Sequence, residues 1–140
     1  MLLTFNSFGD IVTAADLALR IFKALNDSTG SSFEYQCLLA ELNALVHVLT
    51  LIDFAVRATP LRADVIEGVH AECARARVVL DKLWERIRGY QRSLGGGRTG
   101  GSSWRKIGWG LFKTNDIVGL RTQLAAHRET ISNYLMASVL

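Results

Sequence analysis

The sequence predicts an all-α chain, an antiparallel four-helix bundle with an additional short helix before the last long one. Three observations carry this fold class. Apolar residues recur at alternating steps of 3 and 4 in three separate stretches, the 140 residues contain a single proline, and no stretch alternates with the period of two that a half-buried strand requires. The expected organisation is one domain over 1–140, with helices at about 8–26, 31–58, 61–94, 103–113 and 115–138 and a flexible glycine-rich linker at 95–102.

The first helix is expected from Phe8 to Asn26, with Ser7 and Asp10 as an N-cap pair and Asp10 near the positive end of the helix dipole. Its polar positions, Thr13, Asp16, Arg20, Lys23 and Asp27, form a narrow stripe; Ile11, Val12, Leu17, Leu19, Ile21, Phe22 and Leu25 make nearly everything else apolar. The turn Asn26-Asp27-Ser28-Thr29-Gly30 follows, and Ser31 with Glu34 has the capping-box pattern that opens helix two. There Tyr35, Leu38, Leu42, Leu45, Leu49, Ile52 and Val56 form a bundle seam, which Pro60 ends by excluding the α conformation just before it.

Helix three carries the longest series: Ile66, Val69, Cys73, Ala76, Leu80, Leu83, Ile87, Tyr90 and Leu94. Gly95-Gly96-Gly97 stops it. A short amphipathic piece from Trp104 to Lys113 precedes the last helix, in which Ile117, Leu120, Leu124, His127, Ile131 and Tyr134 continue the pattern. Joined by short connections, four long helices and one short one fit a bundle around one core, which a chain of this length can fill.

Composition excludes several classes. With 49% apolar and 21% charged residues the chain is globular rather than disordered. The longest charge-free apolar run, Leu42 to Ile52, is about half of the ~20 residues that a membrane-spanning helix needs, so no constitutive transmembrane helix is expected. The N-terminus lacks the basic region and cleavage site of a secretory signal. Cys37 and Cys73 have no CxxC partner and read as two buried thiols of a cytoplasmic protein, although spacing alone leaves a bridge between them open.

Catalytic chemistry has nothing to rest on, and the chain is not expected to be an enzyme. Gly96, Gly101 and Ser103 fall on three fixed positions of GxxxxGK(S/T), but Ser102 stands where the phosphate-binding lysine must be, and no strand precedes the loop. His47, His70 and His127 show no metal-ligand spacing. Glu41 and Asp53, twelve residues apart on one helix, are too distant for a carboxylate pair, and no serine or cysteine has a recognisable base. No cofactor or metal is expected.

Charge is the informative feature. The net value is only +3, yet residues 1–74 carry four basic and nine acidic side chains, whereas residues 75–121 carry eleven basic and three acidic. Arg75, Arg77, Lys82, Arg86, Arg88 and Arg92 populate the non-seam faces of helix three, and Arg105, Lys106 and Lys113 continue the basic segment around Trp104 and Trp109. One reading is a solvated face with the aromatics as a lid on the bundle. The other is attraction to anionic headgroups with tryptophans at the interface. Nucleic-acid binding is not expected, because no helix-turn-helix, zinc finger or aromatic RNA-binding pattern accompanies these charges. Leu2, Leu3, Phe5 and Phe8 extend the apolar surface of helix one to the N-terminus, either as core or as an arm that inserts into a membrane after release.

These features together resemble the HeLo-like and SesA group, the helical N-terminal domains of fungal STAND (NLR-like) proteins. The resemblance runs from Gly9-Asp10-Ile11 and the Asn26-Asp27-Ser28 turn, through Ser32-Phe33-Glu34-Tyr35 with Leu38, Glu41 and Leu42. It is most specific at Trp104-Arg105-Lys106-Ile107-Gly108-Trp109-Gly110-Leu111-Phe112, before a helix carrying Leu120, Leu124 and His127-Arg128. It implies an N-terminal signalling or effector domain of a larger protein. Such a domain triggers regulated cell death by membrane association or pore formation in innate immunity, or serves as a non-toxic interaction or oligomerisation module. In the toxic members the N-terminal hydrophobic segment, here about Met1 to Phe8, carries the activity. Asp10 and Asp16 would resist deep insertion of that segment. The expected partners are anionic lipids on activation and further copies or partner signalling domains; the expected location is the cytoplasm, with membrane association when activated.

Overall fold

A computed structural model describes residues 2–26, 33–93 and 114–139, with side chains at 9–26, 33, 35–89 and 116–137. Among the described residues the chain is wholly helical: α1 Leu2–Asn26, α2 Phe33–Ala58, α3 Ala63–Ser93 and α4 Thr114–Val139. The expected short helix at 103–113 and the linker at 95–102 lie outside the described residues.

The helices bound one core in the order α1, α2, α4, α3 around its circumference, so α1 faces α4 and α2 faces α3 across the diagonals. Every residue of the seam read on helix two is buried: Tyr35, Leu38, Leu42, Leu45, Leu49, Ile52 and Val56. On α3 Val69, Cys73, Ala76, Leu80, Leu83 and Ile87 are buried, and on α4 Ile117, Leu124 and Ile131. The α1 contribution is Ile11, Ala14, Leu17, Ala18, Ile21 and Leu25. Burying an apolar side chain is worth roughly 1.5–3 kcal/mol, which is why the 3–4 spacing dictates the packing.

Pairwise contacts give the register. Along α1 and α3 they advance together, from Asp10 beside His70 to Arg20 over the Trp84 ring, 5.8 Å from its centroid. Along α3 and α4 they run in opposite senses. Tyr134 lies against Gly68, His127 against Glu72 and Asp116 against Arg86. Gly68 lets the Tyr134 ring lie close to the α3 backbone, since a Cβ there would force the end of that side chain to move.

Helix ends differ in part from those expected. The first helix does not begin at the Ser7–Asp10 cap; it starts at Leu2, because no proline or tight turn interrupts the preceding residues, and Ser7 lies within it. α3 starts at Ala63 rather than at 61, with Arg62 still outside the helix. The Arg62 carbonyl accepts from the amides of Val65 and Ile66, and Asp64 lies in the first turn, where the helix dipole favours a carboxylate.

The α1–α2 corner is tied by a side chain. Buried Tyr35 donates its hydroxyl to the Leu25 carbonyl at 2.7 Å, in the last turn of α1. Tyr35→Phe is expected to cost about 1 kcal/mol in urea unfolding, the net worth of one buried hydrogen bond. An unchanged midpoint would mean that the corner is held by packing alone.

Candidate functional site

The described residues contain no group of three or more His, Cys, Asp or Glu side chains placed to hold a metal ion. They show instead a polar clasp inside the bundle and an apolar face outside it.

The clasp is made by two consecutive residues of α4. His127 donates through Nδ1 to Glu72 of α3, a buried carboxylate that also accepts from Arg75 at 3.0 Å. Arg128 donates to both carboxylate oxygens of Glu41 on α2. A helix turns about 100° per residue, so neighbours on α4 reach two different helices. Glu41 raises the pKa of Arg128 above its usual value, chiefly through this hydrogen bond. On the α1 side, His70 Nδ1 lies 3.1 Å from Asp10 Oδ2, close enough for ion pairing although the atoms are not aligned as a hydrogen bond. Between these groups Cys73 is buried, and desolvation, reinforced by the negative charges of Asp10 and Glu72, pushes its thiol up to about 12. Both cysteines are free thiols.

The basic face is less positive than its sequence. Arg75 pairs with Glu72 at 3.0 Å, Arg77 with Asp81 at 3.6 Å and Arg86 with Asp116 at 3.0 Å. Lys82 and Arg88 are exposed. The Arg92 side chain and the proposed membrane-contact side chains of Leu2, Leu3, Phe5 and Phe8 lie outside the described residues. So do Trp104, Arg105, Lys106, Trp109 and Lys113. The structure does place positions 2–8 within the first two turns of α1.

The feature that sequence reasoning missed is the outer side of α2. Leu51 is 54% exposed and Phe54 70% exposed, and Phe33 at the helix start is 75% exposed. Ala40 and Ala58 are exposed beside them. A groove of about 680 Å³ runs between α2 and α4, lined by Cys37, Ala40, Ala44, Arg121, Ala125 and Ala126 among others. Two polar side chains here turn back on their own helix: the Thr50 hydroxyl donates to the Val46 carbonyl and His47 Nδ1 to that of Asn43. A count of residues off the seam would have found this face, since Leu51, Phe54 and Ala58 fit no core position.

The same property makes the 24-residue segment Tyr35–Ala58, with an 18-residue window of mean hydropathy 1.7, long and apolar enough to cross a membrane by length and composition. The expectation of no constitutive transmembrane helix rested on charge-free length, whereas this segment qualifies by length and mean composition alone, with Glu41 and Asp53 inside it. This is compatible with membrane association, and a core helix that is apolar on two sides has the same composition. No protein-family model, curated protein or solved structure matches the chain.

Proposed function

We propose that this chain is a signalling or effector domain of the kind its sequence resembles, the N-terminal HeLo-like bundle of an NLR-like protein. In this reading it triggers regulated cell death by self-association and by association with, and permeabilisation of, an anionic membrane. The observation that carries the reading is the outward apolar face of α2. A helix whose seam already fills the core has no internal use for exposed Phe33, Leu51 and Phe54, and contiguous exposed apolar surface marks a contact site. Membrane contact would fall to the start of α1 and to the basic segment ending at Lys113, and an antiparallel bundle with a short helix over 103–113 belongs to the same reading. The opposed register of α3 and α4 fits that arrangement, whereas α1 and α3 run in the same sense.

The second reading is an interaction or oligomerisation module that never touches lipid, and the α2–α4 groove favours it. Dye leakage from anionic vesicles separates the two. The membrane reading expects leakage at low salt, lost on deletion of Met1–Phe8 with helical circular dichroism retained. The absence of both leakage and co-sedimentation with vesicles would sink it, and so would a truncated chain that unfolds.

A further inference from the structure

We propose that the outer face of α2 is a homodimer interface, in which two copies pack their α2 helices antiparallel about a two-fold axis near His47. The inference rests on the reading of this chain as a contact domain, and not on its membrane step. The face is graded along its length. Beyond Phe33 at the helix start, its N-terminal half is low: Ala40 and Ala44 border the groove of about 680 Å³ between α2 and α4, with Ala125 and Ala126 opposite. Its C-terminal half is high, with Leu51 and Phe54 projecting from the bundle.

A two-fold axis perpendicular to α2 at position 47 brings each half of one copy over the other half of its partner. Phe54 then stands over Ala40, and Leu51 over Asn43, one residue from Ala44. Isologous interfaces require this self-complementarity, in which residue i meets j and j meets i. Alanines let the two backbones approach closely while the larger side chains enter the partner's groove.

Charge selects a second copy over a lipid surface. From Leu42 to Ile52 the helix has no Asp, Glu, Lys or Arg, and at either side Glu41 is paired with Arg128 and Asp53 with Arg57. The contact therefore desolvates no unpaired carboxylate, ammonium or guanidinium along this stretch. The whole of α2 carries three acidic residues, Glu34, Glu41 and Asp53, against one basic, Arg57. Helices that lie on anionic bilayers carry the opposite balance, with lysine and arginine beside the apolar face. A bilayer also has no relief to match a groove beside two projecting side chains.

The test uses the full 140-residue chain. Sedimentation equilibrium is expected to show a monomer–dimer equilibrium that weakens at least a hundredfold in Leu51→Asp/Phe54→Asp. Both positions are exposed, so helical circular dichroism should be unchanged. Register is read by a short bismaleimide in a Cys37→Ser background. His47→Cys is expected to give a covalent dimer, whereas Ala40→Cys, about 21 Å from its own copy along the antiparallel axis, is not. Equal cross-linking at both positions would overturn the antiparallel register. A wild-type monomer at all concentrations would overturn the dimer. Intact self-association in the double aspartate variant, combined with lost vesicle binding, would assign the face to lipid and overturn the proposal. Vesicle leakage in the wild type is scored separately, so the membrane reading and the dimer fail independently.

Discussion

Truncating Leu49 to alanine is expected to lower the unfolding free energy by about 3–4 kcal/mol, while the same truncation at Leu51 changes it by less than about 0.5 kcal/mol. The two leucines are two residues apart on α2, with equal intrinsic helix propensity and equal volume. They differ only in burial: Leu49 is fully buried in the shared core and Leu51 is 54% exposed. Removing three carbons from Leu49 forfeits their transfer free energy and leaves a cavity that four packed helices close only in part. Urea unfolding at a protein concentration low enough to keep the chain monomeric reads the difference as a midpoint shift of roughly 2 M for Leu49→Ala. Similar losses at the two positions would mean that α2 does not present one side to the core and the other to solvent.

The second large effect is expected at the clasp. Glu72→Ala leaves His127 facing an unfilled, partly buried space and removes the carboxylate that Arg75 also contacts; the expected cost is about 2–3 kcal/mol, or roughly 10 °C in Tm. The size follows from burial, since exposed ion pairs are worth at most about 1 kcal/mol, whereas removing one partner of a buried pair strands the other. Glu72→Gln keeps an acceptor for His127 and should cost less than half as much. A double-mutant cycle with His127→Ala isolates the pair, and its coupling energy is expected to exceed about 1 kcal/mol. A coupling near zero would mean that Glu72 acts only through Arg75 or through helix packing.

The seams of α2, α3 and α4 were legible because a buried helix face imposes its period on the residues that fill it. Seven of seven seam positions on α2 are buried, and on this one helix the apolar face is also the load of the core. Helix starts were less legible. Ser7 and Asp10 have capping chemistry, but a capping residue works only where the preceding residue leaves the helix, and nothing before Ser7 forces that. The clasp was half visible: His127 stood out as a polar residue on an apolar seam, while its partner Glu72, next to Cys73, had no local signature because the pair is 55 residues apart. The charge split was legible, its pairing was not. Counting by sequence placed Arg75, Arg77 and Arg86 on the non-seam faces of helix three, and helix geometry sets each beside a carboxylate three or four residues away or across the α3–α4 contact. The outer face of α2 was hidden by the same seam that revealed the inner one, since an apolar residue between seam positions does not disturb a 3–4 count.

Cys73 is the most direct probe of whether α1, α3 and α4 close over one core. Its thiol, raised from an ordinary 9.0 to about 12, loses about a thousandfold in thiolate at neutral pH, and burial adds steric protection. In a Cys37→Ser variant, labelling by a thiol reagent at pH 7 is expected to be at least a thousandfold slower in the native protein than in urea. It should accelerate only as the bundle unfolds. Labelling of the native protein at a rate near that of the unfolded chain would contradict the packed four-helix core.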